Sequence, residues 1–449
     1  MKFATAGLTV ALAAIAAAVA SGLLFEARRP AALTVPSLPE ATLSVRGIPA
    51  PPAGGVACTQ ESQLRVGDTP QWRAIVPANR PQPVPSPALA ALGRQLFMDA
   101  RLSQPRGTSC ASCHAPAQGF SSANGATHGT ARGSMPGRTG PRNPPSLTYV
   151  RYVPPLYFYQ DDDAQAPAPF GGLNLDGSAD TLAAQARGPL LARHEMNLGS
   201  DRAVARRLRD TGYREAFEKL FGVGVLGHPR RATEALGESL QAYLQSAELA
   251  PFDSRFDDML RGHDTLTSQE KRGLAVFRNP DQGNCASCHS VNATSTDPAR
   301  SLFTDFGYEA LGVPRNRRLA ANARADAFDL GLCRTARERH WPEAQSWCGY
   351  FRTPSLRNVA LRQHLMHNGD FDSLRDVVRF YATRSTRPQD WYPPGTPFDD
   401  LPPELHGNVN VVATPLNRRA GTSPAMSDED IDAVVAFLKT LTDRRYLVR

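Results

Sequence analysis

Cys110-Ala-Ser-Cys113-His114 and Cys285-Ala-Ser-Cys288-His289 are two copies of one pentapeptide in a chain of 449 residues. Cys-x-x-Cys-His is the attachment signal for c-type haem, and its spacing has a physical reason. Two cysteines three apart on a helical turn reach both vinyl groups of one porphyrin and form thioethers. The adjacent histidine then turns its imidazole toward the iron. On this reading Cys110, Cys113, Cys285 and Cys288 hold two covalently bound haem c groups, and His114 and His289 are the proximal metal ligands. A dithiol redox pair or half of a zinc site would also use Cys-x-x-Cys. A zinc site takes four thiolates or a Cys/His set at tetrahedral spacing, and neither alternative needs a histidine directly after both pairs.

Each pentapeptide closes a longer repeat. Leu92-Gly-Arg-Gln-Leu-Phe97 precedes the first and Arg272-Gly-Leu-Ala-Val-Phe277 the second. Two copies of one helix-loop-motif unit imply two similar domains, with a boundary near 250–264. Ser86-Pro87 reads as an N-cap and first-turn proline, Thr267 with Glu270 as a capping box, and Ser427 with Asp430 as the start of a terminal helix. Period-2 alternation is scarce, and 125–145 and 386–425 are Pro/Gly-rich. The expected fold is mainly α, with long loops and little β. It comprises two cytochrome c-like domains, each organised around its covalently attached haem.

Lys2 precedes an apolar run from Ala4 to Phe25 with Ala18-Val19-Ala20 before Ser21, an A-x-A-like cleavage pattern. Residues 1–25 are therefore an export signal, or, left uncleaved, an N-terminal membrane anchor. Residues 26–85 form a Pro/Ala-rich leader, 86–255 the first haem domain and 256–449 the second. Export places the protein in the periplasm. There, oxidising conditions favour a bridge between Cys333 and Cys348, with Cys58 left over. The formal charge of +7 is spread without a dense basic run. That argues against nucleic acid and suits a surface that steers an acidic partner.

Around these motifs stand Gly119-Phe120, Arg142-Asn143-Pro144-Pro145-Ser146-Leu147, Asp176-Gly177, Gln185-Ala186, Pro189 and Glu195-Met196. After the second motif come Phe351-Arg352-Thr353-Pro354-Ser355-Leu356-Arg357-Asn358 and Met366-His367-Asn368-Gly369. Over about residues 86–445 this ordered set resembles the bacterial di-haem cytochrome c peroxidase family, MauG-like members included. The resemblance implies a peroxidatic first haem and an electron-transferring second haem. It puts Gln185, Pro189 and Glu195 in the distal pocket over the haem of His114. Splitting the O–O bond of hydrogen peroxide needs a group that takes a proton from one oxygen and returns it to the other, and a positioned carboxylate does this. Glu195 is the candidate, with Gln185 as a hydrogen-bond donor to peroxide.

Fourteen residues after His367 stands Tyr381, where typical family members carry methionine and MauG-like members tyrosine. As sixth ligand of the second haem, a phenolate favours oxidised iron where a thioether favours reduced iron. Tyr381 thus points to MauG-like high-valent haem oxidation. Leu374, Val377, Val378 and Tyr381 also share one helical face, which a purely structural tyrosine would explain equally. Three positions depart from the family pattern. Leu175 stands where a tryptophan relay is usual; His128 lies in the loop that carries a switchable ligand, but farther from Arg142-Asn143 than the family spacing, which favours a plain surface histidine. Asn143 matches a calcium ligand, but Arg362 and His364 replace the usual Thr and Pro, and an arginine opposes a cation. The implied partners are hydrogen peroxide and an electron source. That source is a small redox protein (a cytochrome c or cupredoxin) or a protein substrate. The rival function is a di-haem electron carrier with no peroxidase turnover.

Overall fold

The structure, a computed structural model, describes residues 86–121, 129–159 and 167–447. The export segment, the leader, Cys58 and His128 lie outside the described residues. Among these, six helices reach ten residues: α1 Pro87–Met98, α2 Asp201–Asp210, α3 Pro229–Leu244, α4 Ser268–Arg278, α5 Leu374–Thr383 and α6 Asp428–Lys439. Strands are short. β1 (Tyr157–Tyr159) pairs antiparallel with β2 (Ala168–Phe170), and β3 (Tyr308–Glu309) with β4 (Phe351–Arg352). The expectation of a mainly helical chain with little β holds.

The helix ends follow local chemistry. Thr267 and Glu270 cap α4 reciprocally, Thr267 N–H donating to Glu270 Oε2 at 2.8 Å and Glu270 N–H to Thr267 Oγ1 at 3.3 Å. Ser427 and Asp430 do the same for α6. At α1 the reading is half right. Pro87 occupies the first turn, but the Ser86 hydroxyl makes no capping bond, and the proline's preset φ suffices to start the helix.

The described residues build two large apolar cores, beside two smaller clusters around Tyr149 and Tyr308. One gathers side chains from Leu92 to Leu249, the other from Phe256 to Leu441. Each rests on one helix crossing, and the crossings match. α1 packs on α3 and α4 on α6. Phe97 meets Tyr243 and Phe277 meets Phe437, each pair edge-on at 5.4 Å between centroids. Gly93 and Gly273, equivalent in the repeat, are the points of closest approach. A Cβ on Gly93 would lie 1.9 Å from Ser239 O, and one on Gly273 2.0 Å from Ala433 O.

This decides the sign of a substitution. In a helix interior, Gly→Ala ordinarily stabilises by roughly 0.5–1 kcal/mol. At Gly273 the methyl meets backbone rather than a yielding side chain, so the helices must part. Gly273→Ala is expected to destabilise the holoprotein by about 1–3 kcal/mol. Urea denaturation checks this, and an unchanged or raised midpoint would contradict it.

The cores are joined by buried polar ties. Arg357, fully buried, donates to both Asp257 carboxylate oxygens at 2.8 and 3.0 Å and lies over the rings of Tyr149 and Phe252. Tyr149 in turn donates to Asp443 at 2.7 Å. Arg142 grips Asp329 at 2.6 and 2.7 Å and Asp176 at 2.7 Å. Asp176 follows Leu175 on the first half of the chain, so this arginine pins the approach to the site.

Candidate active site

Both motif histidines are half-buried and held alike. His114 Nδ1 lies 3.1 Å from Pro145 O and 3.3 Å from Phe120 O. His289 Nδ1 lies 3.0 Å from Phe303 O, with Pro354 O as a second acceptor. A carbonyl only accepts, so Nδ1 carries the hydrogen and Nε2 keeps its lone pair for a metal. Burial pushes both imidazoles down to about 4, so both are neutral at pH 7, as a ligand must be. The acceptors are equivalent by repeat: Phe120 and Phe303 both take left-handed backbone, φ 53° and 55°. Pro145-Ser146-Leu147 mirrors Pro354-Ser355-Leu356. Sequence reasoning quoted these segments without seeing that they orient the histidines; the repeated Pro-Ser-Leu was the available signal.

Around His289 lies a cavity of about 250 Å³ lined also by Cys285, Cys288 and Tyr381. α5 presents Leu374, Val377, Val378 and Tyr381 to it. The apolar stripe noted in the sequence is therefore the cavity wall itself, and Tyr381 is on it. Burial raises the Tyr381 phenol, and the nearby Cys285 thiol and Glu309 add to the effect. Arg384 opposes the shift without cancelling it, and the hydroxyl stays protonated.

The residues present fit a haem. The wall is apolar, and a neutral imidazole and a phenol line the same space. Arg352 and Arg362 also line it, and among the described residues neither has a carboxylate within ion-pair distance. Burial lowers both, Arg362 to about 10. Buried guanidinium groups without an anion are costly, and haem propionates would supply one.

The same cavity is bounded by Asn143, Pro145 and Leu175. Pro145 thus does two things: its carbonyl holds His114, and it walls the space in front of His289. Leu175, 8% exposed, stands in this partition as an aliphatic group.

On the His114 side, Glu195 is half-buried, and burial alone pushes its carboxyl up to about 7. Its charge acts on the thiols of Cys110 and Cys113, which brings the carboxyl near the motif. Pro189 O accepts from Met196 N–H at 3.0 Å, and Glu195 O from Ser134 N–H at 2.7 Å. The turn carrying Glu195 is therefore fixed from both sides. Gln185 is tied elsewhere: its Nε2 donates to Asn174 Oδ1 at 3.0 Å, leaving one amide hydrogen for another acceptor.

Asn143 bridges the two halves of the chain. Its N–H donates to His367 O at 2.8 Å, and its Nδ2 to His364 O at 2.9 Å and Met366 O at 3.1 Å. Its Oδ1 is buried without a partner. Turning the amide over would aim three oxygens, Asn143 Oδ1 and the carbonyls of His364 and Met366, at one point. Cys333 and Cys348 are bridged. No helix among the described residues is long and apolar enough to cross a membrane.

A family profile described as di-haem cytochrome c peroxidase matches residues 87–265. The methylamine utilization protein MauG of Paracoccus denitrificans is 41% identical over 367 residues, 80% of this chain and 89% of that protein. The cytochrome-c peroxidase IdrP2 of Pseudomonas sp. (strain SCT) is 28% identical over 66% of this chain and 73% of its own length. Among solved structures, the diheme peroxidase BthA of Burkholderia thailandensis superposes with a TM-score of 0.78 at 55% identity, over 81% of this chain and 88% of that one. Fold, motifs and matches together define a haem-dependent oxidoreductase that uses peroxide as electron acceptor. Within that class, the chain belongs to the di-haem cytochrome c peroxidase family.

Proposed function

We propose that this chain is a periplasmic, MauG-like di-haem peroxidase whose electrons come from a protein substrate or a small redox protein. The observation that carries the reading is Tyr381 sharing one buried apolar cavity with His289. A histidine and a tyrosine there suit a site that favours oxidised iron. When bound, the haems supply one-electron redox chemistry that no side chain of the site offers.

Residues 86–255 form the peroxidatic domain and 256–449 the electron-transfer domain. Cys110 and Cys113 attach one haem and Cys285 and Cys288 the other. His114 and His289 each offer Nε2, fixed by a carbonyl on Nδ1. Tyr381 is the second donor facing His289. Arg352 and Arg362 neutralise propionates. Glu195, poised near neutrality, takes the proton of one peroxide oxygen and delivers it to the other. Pro189 holds the turn that aims it, and the remaining amide hydrogen of Gln185 orients the substrate. Asn143 Oδ1 with the carbonyls of His364 and Met366 would hold a calcium ion, the oxygen donor set such an ion prefers. The net charge of +7 suits an acidic donor protein.

The mature holoprotein tests this directly. Its mass is expected to exceed that of the polypeptide by two haems, and stoichiometric peroxide should change its visible spectrum within the mixing time of a stopped-flow instrument. A bare polypeptide mass would sink the reading. A spectrum that ignores peroxide would leave an electron carrier.

A further inference from the structure

Trp341, Trp347 and Tyr350 stand in file beside the cavity around His289. Trp341 and Trp347 are half-buried with centroids 6.4 Å apart, and Trp347 meets Tyr350 edge-on at 5.6 Å. The outer end is open to solvent: Phe158, 43% exposed, lies over Trp341 at 4.5 Å. The inner end is buried: Tyr350 is 5% exposed, and its neighbours Gly349 and Phe351 line the cavity. Glu309 lines it too and accepts from Asn410 Nδ2 at 2.9 Å. Glu309 stands opposite Phe351 in the β3–β4 pair, one residue along from Tyr350, and its charge bears on both Tyr350 and Tyr381. Both tryptophans lie within the loop closed by Cys333–Cys348, which holds their spacing.

A packing role alone would account for aromatic rings here, since they bury large area. It does not account for the choice of rings. The three members that run inward are those most easily oxidised by one electron, while the phenylalanine, which is not, sits at the outside. An acid–base group waits at the inner end, where a tyrosine losing an electron must shed its phenolic proton.

We propose that Trp341, Trp347 and Tyr350 form an electron path from the surface to the cavity around His289, with Glu309 as the proton partner of Tyr350. The proposal rests on the peroxidase reading above. Each hydrogen peroxide takes two electrons and two protons to give two waters. For each electron, Tyr350 is oxidised and passes its proton to Glu309. It is then re-reduced from Trp347 and recovers the proton. Trp347 is refilled from Trp341, and Trp341 from a one-electron donor at the surface, a reduced redox protein or an oxidisable side chain. Tunnelling falls steeply with distance, so three short hops outrun one long one. Leu175 in the partition marks a different stretch, between the two haem sites, which this path does not need.

The test uses holoprotein with both haems confirmed by mass, given excess peroxide and no donor. Without refilling, the path's outer end is left oxidised. Peptide mass mapping should find oxygen added at Trp341 in the wild type, and at least tenfold less in Trp347→Phe. The initial peroxide-dependent absorbance change should be equal in both. Tyr350→Phe should act like Trp347→Phe, and serves if the latter folds poorly. Equal Trp341 oxidation in wild type and a folded variant would overturn the path, as would no Trp341 oxidation in a wild type that reacts with peroxide. A wild type that carries two haems yet ignores peroxide would instead overturn the peroxidase reading, and the path with it.

Discussion

Glutamine in place of Glu195 is expected to slow the reaction of the holoprotein with peroxide by about 10²–10⁴-fold, the usual worth of a positioned acid–base group. Glutamine keeps the shape and the hydrogen-bonding end but cannot exchange a proton. The pH dependence sharpens the test. Burial lifts this carboxyl to about 7 from an ordinary 4.5, and the base form is the carboxylate. The wild-type rate should therefore climb with pH through about 7, and the variant's should stay flat. Stability moves the other way. The folded state binds this proton more tightly than the unfolded chain, so Glu195 costs no stability below about 4.5. Its cost grows as pH rises and is complete above about 7. At pH 8 the variant should be at least as stable as the wild type. A slow variant that is also less stable at pH 8 would point to damage rather than lost chemistry. Equal peroxide rates would remove Glu195 from its role.

Tyr381→Met should raise the midpoint potential of the second haem by a few tenths of a volt, inside the roughly 0.8 V that axial ligands span. At about 59 mV per decade for one electron, about 0.3 V moves the equilibrium by roughly five decades. The sign follows from the donor: a phenolate stabilises the oxidised ion, a thioether the reduced one. Tyr381→Phe separates ligation from packing, because it keeps the ring against Val377 and Val378 and removes only the oxygen. Potentiometric titration reads both variants. If Tyr381→Phe leaves the second haem's potential and spectrum unchanged, the tyrosine is only part of the wall.

The pentapeptides and the helical repeat were legible because they are local. Chemistry between neighbours in the chain leaves a pattern, and so do capping residues three apart. Two helices crossing at Gly93 and Gly273 was half legible: the repeat showed both glycines, but not Ser239 and Ala433 opposite them. The carbonyls of Pro145 and Phe303 were not legible, since any residue has a carbonyl and only the fold aims one. Nor was the engagement of Gln185 by Asn174. Tyr381 is the instructive case. Its helical stripe read equally as core or as ligand face, because the two differ only in whether a cavity or another helix lies opposite. Trp341 and Trp347 were passed over because the only signal was two tryptophans near a cysteine pair, and their file appears once the loop is closed.

The thiols of Cys110 and Cys285 are half-buried, and desolvation pushes both up to about 12. Thioether chemistry needs an accessible, reactive sulfur, and in the closed protein almost none of either would be ionised at neutral pH. Attachment is therefore expected to be fastest on a still-open chain, with closure following. A polypeptide that folds first should be joined to its pigment more slowly, and unfolding should restore the rate.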